Sequence, residues 1–328
     1  MNKSIEEKFL LANRYFQENK INLAKKDCED ILKDKPNYIQ ALNLMALIGL
    51  KSEDYKLADS YFNKCISIDS KNISIIKNYC ISLKKQNKLI EVNKFLLILY
   101  ELTNGEPDVT YELANNFILI NKKDNAFSLV KKALQNYPES TLLNTSMGNI
   151  LFEMGKHQES EEYYKKAYIK NGNDFQVLFR LGYFSLNNKK YNESISYLEK
   201  IINNKERYQN YSQQFYIIYY NIGLAYEKLE EFDHAEKHYL TAFQLNQSDI
   251  NILVNLSSVY KEKEEFNKSI DFINKAISIN TENRVLYSNL AIIYSQIGDH
   301  EKSVYYNRLG NGVVIFKSDA ESGLFEIF

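Results

Sequence analysis

At 328 residues, 45% hydrophobic and with a formal net charge of −1, the chain is long enough for one or two globular domains. It is too neutral to be drawn in bulk to nucleic acid or to an anionic membrane. No apolar run reaches the length of a membrane span, and the opening MNKSIEEKFLLANRYF has neither the charge pattern nor the apolar run of a signal peptide. The three cysteines (Cys28, Cys65 and Cys80) read as buried, reduced thiols, the usage of a cytoplasmic protein.

The chain repeats with a period of 34 residues. Units run 5–38, 39–72, 73–106, 107–140, 141–174 and 175–208, then, after an interruption at 209–215, 216–249, 250–283 and 284 to about 310. Each unit holds two stretches of helical apolar spacing separated by a short polar break, clearest in Tyr219–Ala242. The eighth place is small throughout: Ala12, Ala46, Cys80, Ala114, Gly148, Gly182, Gly223, Ser257 and Ala291. The twentieth place nearly repeats this with Ala24, Ala58, Val92, Ala126, Ser160, Ser194, Ala235, Ser269 and Ser303. Small residues there let one helix approach another without clash, and large residues such as Leu113, Leu181, Tyr164 and Tyr239 fill the facing positions. Asn19, Asn87, Asn121, Gly155 and Gly298 fall in the breaks, where the left-handed conformation closes a helix. Pro36 and Pro138 end their units, and Pro107 opens one. Periodicity alone therefore predicts a stacked α-solenoid, a single elongated domain whose units bury their apolar faces only against neighbours.

These columns resemble the tetratricopeptide repeat family, whose pattern runs bulky, Leu-Gly/Ala, Tyr, Ala, Phe/Tyr, Ala and Pro. The resemblance covers roughly residues 5 to 310 and departs at the first aromatic and at most closing prolines. It implies an all-α, right-handed superhelix of about nine helix–turn–helix repeats with a concave groove lined by the first helices. The organisation expected is repeats one to six over 5–208, an insertion at 209–215, repeats seven to nine over 216–310 and a tail at 311–328.

Taken in order, units one to three read as plain scaffold, with Asn13, Asn43, Lys77 and Asn78 scattered over the inner helices. Units four to six add Tyr111, Asn115, Asn149, Phe179 and Arg180 on the groove side; Arg180 is the candidate for an acidic contact. The interruption sits in an aromatic cluster with Tyr208, Tyr211, Tyr216, Tyr219 and Tyr220. It is either a longer connection whose tyrosines pack on neighbouring helices or a joint with an aromatic-lined ligand patch.

The sixth place reads Leu10, Leu44, Asn78, Glu112, Ser146, Arg180, and then Asn221, Asn255 and Asn289. Three consecutive asparagines resemble the asparagine ladder in the repeat domain of O-linked N-acetylglucosamine transferases, which implies a line of amides holding an extended peptide. Tyr220, Leu224 and Val254 are expected to add apolar contacts beside it. After Asn307 the pattern fails; Val313–Phe316 and Leu324–Phe328 read as strands, in an irregular or β-like tail that folds over the last unit, or else is a docking peptide or the remnant of a further domain.

His234 and His238 stand four apart on one helix, a spacing that can hold a metal, but the sequence offers no third or fourth ligand; both lie beside the packing column rather than in it, which places them on a solvated outer face. No phosphate loop, dinucleotide fingerprint, H-E-x-x-H or G-x-S-x-G occurs, and no constellation serves acid–base chemistry, so neither catalysis nor a cofactor is expected. The clamp of heat-shock chaperone adaptors needs Lys and Asn, then Asn, then Lys with Arg, on three successive inner helices. Here Asn13 is followed by Leu44 and Asn115 by Ser146, so that motif is absent. The expected function is a scaffold binding peptide segments of other proteins, with no nucleic acid and no membrane insertion. The alternative is the substrate-targeting arm of a glycosyltransferase-like enzyme whose catalytic domain lies elsewhere.

Overall fold

The computed structural model describes residues 4–312 and two short strands at 316–318 and 325–327. The chain divides into two compact units, Met1–Lys170 and Asn171–Phe328.

The first unit holds five helix pairs: α1 (Ile5–Gln17) and α2 (Ile21–Asp34), α3 (Ile39–Lys51) and α4 (Tyr55–Ile68), α5 (Ile73–Lys85) and α6 (Leu89–Leu102), α7 (Pro107–Leu119) and α8 (Lys123–Asn136), α9 (Thr141–Glu153) and α10 (His157–Lys170). Each helix packs on the next in sequence, and the first helices of neighbouring pairs also meet directly, α1 with α3, α3 with α5 and α7 with α9. Local chemistry sets the starts: Ser4 and Glu7 form a reciprocal capping box, while Asp54, Asn72 and Ser140 accept from the amide three residues on. Pro107 occupies the first turn of α7, where its missing N–H is not needed.

The second unit begins with α11 (Phe175–Asn187) and α12 (Tyr191–Asn203). A 3-10 stretch, Lys205–Gln214, leads into α13 (Phe215–Lys228) and α14 (Phe232–Leu245). Then come α15 (Ile250–Glu262), α16 (Phe266–Ile279), α17 (Arg284–Ile297) and α18 (His300–Gly310). In the 3-10 stretch Tyr211 stacks on Phe175 at 4.0 Å and 9°, Tyr208 leans on the same ring, and the Tyr208 hydroxyl donates to the Asn173 carbonyl. These tyrosines are thus used in packing on the start of α11. Phe316–Ser318 pairs antiparallel with Phe325–Ile327, Phe316 opposite Ile327. The sequence places strands at Val313–Phe316 and Leu324–Phe328; residues 313–315, 324 and 328 lie outside the described residues.

Every first-to-second helix turn contains one residue at positive φ, between +57° and +86°: Asn19, Glu53, Asn87, Asn121, Gly155, Lys189, Glu230, Glu264 and Gly298. In most, the following amide reaches back to a carbonyl five residues earlier, as Lys156 N does to Leu151 O, the helix-ending motif that a left-handed residue permits. The Asn and Gly turns were legible in the sequence. Glu53, Lys189, Glu230 and Glu264 were not, because closure of the backbone overrides their preference.

Both small columns sit at helix–helix contacts. The eighth-place residues are all buried, and so are the twentieth-place residues from Ala24 to Ser269. Where the twentieth place is serine, its hydroxyl donates to the eighth-place carbonyl: Ser160 to Gly148, Ser194 to Gly182, Ser269 to Ser257 and Ser303 to Ala291, at 2.7 to 3.0 Å. A serine therefore replaces alanine there without leaving an unpaired hydroxyl, and it bolts the two helices of a pair together. Cys28, Cys65 and Cys80 are buried and free, and burial pushes their thiols up to about 12, 11 and 12. Few of these sulfurs are thiolate at neutral pH, so they act as packing.

Candidate functional site

The sixth-place asparagines lie on first helices of the second unit, Asn221 on α13, Asn255 on α15 and Asn289 on α17. They are not equivalent. Asn221 is 8% exposed and belongs to the packed interior. Asn255 and Asn289 are half-buried and line one cavity of about 150 Å³, together with Val254, Ser258, Lys261 and Ile292. Asn221 is thus a buried side chain, and Asn255 is tied into the packing.

The tie is specific. Asn255 Nδ2 donates to the hydroxyls of Tyr220 at 3.2 Å and Tyr239 at 3.1 Å, and the Tyr239 hydroxyl donates to Glu227 Oε2 at 2.7 Å. An ionised carboxylate only accepts, so Tyr239 must spend its proton on Glu227 and can only accept from the other side. That fixes the Asn255 amide with its NH₂ toward the tyrosines and leaves Oδ1 as the group available to a ligand. Burial first, and Glu227 second, push the Tyr239 phenol far above its ordinary range, so it stays protonated. Burial also raises the Tyr220 phenol, with the Asn255 hydrogen bond opposing it.

Of the other sequence candidates, Val254 lines the cavity, and Tyr220 and Leu224 pack against the buried group around Tyr239 and Leu256. Arg180, on α11, is half-buried, already partnered within the chain and not part of this cavity. Sequence reasoning missed Ser258, Lys261 and Ile292. Ser258 and Ile292 both hold the ninth place of their units, which also carries Leu224 and Ile81, and Ile292 is 51% exposed. Reading that place as a column would have found them.

Of the two histidines expected on a solvated face, only His238 departs from that expectation. His234 stays exposed and pairs with Glu231, but His238 is packed on the rings of Tyr219 and Tyr226 at 6.0 and 5.5 Å, with a buried Nδ1 that has no partner. Burial, then the charges of Lys237 and His234, lower its pKa to about 4. Among the described residues no group of three or more His, Cys, Asp or Glu is placed to hold a metal ion, and no helix is long and apolar enough to cross a membrane.

Family models described as "Tetratricopeptide repeat" match residues 39–72, 143–168, 175–208, 216–249 and 250–283. No curated protein matches. Among solved structures, a chain of the APC/C hetero-tetramer Cut9-Hcn1 aligns with a TM-score of 0.56 at 17% identity, over 83% of this chain and 52% of that one. PilW, a widely conserved type IV pilus biogenesis factor, aligns with a TM-score of 0.51 at 15% identity, over 61% of this chain and 90% of its own. PilF of Pseudomonas aeruginosa gives 0.50 at 15%, over 61% and 88%. Identities this low speak to the fold alone.

Proposed function

We propose that this chain, which carries tetratricopeptide repeats, is a non-enzymatic scaffold that holds extended segments of other proteins against its first helices. The observation that carries the reading is the fixed amide of Asn255 beside that of Asn289 in one cavity. Asn255 Oδ1 accepts from a backbone N–H of the bound segment, while the Asn289 amide, able both to donate and to accept, takes a neighbouring backbone group. At about 150 Å³ the cavity suits backbone and small side chains, so recognition there is largely independent of sequence, with Ile292 and Val254 supplying apolar contact. Because Tyr220, Tyr239 and Glu227 hold Asn255 before any ligand arrives, binding spends little on ordering the acceptor. Each amide–backbone bond contributes about 0.5–1.5 kcal/mol net. The transferase-arm reading rests on the asparagine ladder and the strand-like tail, and the ladder supports it less with Asn221 buried.

The test is hydrogen exchange of the full chain with a peptide chosen from a displayed random library. New protection concentrated on α15 and α17 is the expected result. Failure to select any peptide, or protection confined to other elements, would count against the site.

A further inference from the structure

The cavity at Asn255 has a counterpart in the first unit. It is built by the fifth, eighth, ninth and twelfth places of one repeat and the sixth place of the next: Val254, Ser257, Ser258, Lys261 and Asn289. The same places of the third and fourth repeats, Lys77, Cys80, Ile81, Lys84 and Glu112, line a second cavity of about 270 Å³, closed by Leu96, Leu99, Asp108 and Val109. It lies between α5 and α7, over α6. Leu96 and Leu99 of α6 lie below it, part of the buried core.

Its chemistry differs from that of the first cavity. The floor is aliphatic, from Leu96, Leu99 and Val109, and Ile81, 50% exposed, stands at the mouth. Lys77 and Lys84 line the α5 wall; Asp108 and Glu112 line the α7 wall. Lys84 and Glu112 pair across the mouth, but both are well exposed, with side chains 38% and 47% accessible. Such a pair is worth little and can be traded for a ligand's charges. An aliphatic cavity of about 150 Å³ already takes a benzene-sized molecule. A cavity of about 270 Å³ has room for one large apolar side chain with its backbone.

We propose that this cavity is an anchor site for a protein segment of defined chemistry: a large apolar residue in the pocket, an acidic residue on the lysine side and a basic residue on the carboxylate side. The inference rests on the reading that the first-helix face takes extended segments, and it gives the first unit a sequence-selective site of its own.

The test uses the full chain and Gly/Ser dodecapeptides with Glu–photo-leucine–Lys at the centre. Irradiation and mass spectrometry are expected to place the adduct on residues lining 77–84, 96–99 or 108–112. In polarisation assays of the leucine peptide, Leu→Ala is expected to weaken binding about tenfold or more. Lys77→Glu with Lys84→Glu is expected to lose the Glu-Leu-Lys peptide and to gain Lys-Leu-Lys. Lys77→Glu alone, which leaves the Lys84–Glu112 pair intact, is expected to shift preference the same way by a smaller factor. Thermal unfolding serves as the fold control. Adducts on α15 or α17, or a preference unmoved by either variant, overturn the anchor site and leave peptide binding standing. No adduct here, with display-selected peptides still protecting α15 and α17, does the same. No peptide binding in either experiment sinks both.

Discussion

The Asn255 side-chain amide donates to the Tyr239 hydroxyl at 3.1 Å, and that hydroxyl, wholly buried, donates in turn to Glu227. The chain of donors links a candidate binding residue on α15 to the α13–α14 pair, so the same bonds that stabilise the stack also aim the acceptor. Tyr239→Phe keeps the ring and removes the hydroxyl, leaving the Glu227 carboxylate and the Asn255 NH₂ without it. Urea unfolding is expected to show a loss of about 1–3 kcal/mol. Glu227→Gln, whose amide oxygen still accepts, is expected to cost less. Equal stability of Tyr239→Phe and the parent would show that the relay is not formed.

The small columns make a second prediction, about packing. A Cβ added at Gly223 would stand 2.7 Å from Tyr239 Cδ1, inside the contact that the column creates. Gly223→Ile is therefore expected to cost about 1–3 kcal/mol or more by overpacking. Gly49 is the sharper case, because a Cβ there would lie 2.7 Å from the Ala58 backbone nitrogen and 3.0 Å from the Asp54 carbonyl oxygen. Backbone cannot rotate away. Gly49→Ala gains about 1 kcal/mol of helix propensity yet is expected to be destabilised on balance. A rise in thermal midpoint for Gly49→Ala would contradict that close approach.

Much of this was legible in the chain. The unit boundaries at 39, 73, 107, 141, 175, 250 and 284 coincide with the first residues of α3, α5, α7, α9, α11, α15 and α17, because the small columns and the apolar spacing record the same packing contacts. What was hidden depended on relations between units. Gly49 lies outside the two small columns, and only the approach of α4 explains it. Asn221, Asn255 and Asn289 share a column, but the partners that separate them, Tyr220 and Tyr239, lie in other columns and meet Asn255 only once the helices are stacked. His238 was assigned to solvent from helical spacing. Tyr219 and Tyr226 on the neighbouring helix cover it instead.

The burial of His238 predicts a pH dependence. Its folded pKa, about 4, lies below the ordinary value of 6.5, so in that window the unfolded chain binds more protons than the folded one. Stability from the neutral imidazole is full above about pH 6.5 and declines as pH falls toward 4. Tyr219, Tyr226, His234, Lys237 and, through His234, Glu231 are the neighbours that set the shift. After discounting for partial solvent screening, the loss between pH 7 and pH 5 is on the order of 1 kcal/mol. His238→Phe, which keeps a ring between the tyrosines, is expected to remove that part of the slope in urea unfolding. An unchanged slope would place the imidazole in water.

The central claim is that Asn255 Oδ1 accepts from the backbone of an extended segment. N-methylation along a display-selected peptide removes one backbone N–H at a time, and each methylated peptide can be titrated against the parent chain and Asn255→Ala. The account predicts one position where methylation weakens the parent complex but adds nothing to the loss in Asn255→Ala, a coupling of about 0.5–1.5 kcal/mol. Methylation losses that are the same for both proteins at every position would contradict it.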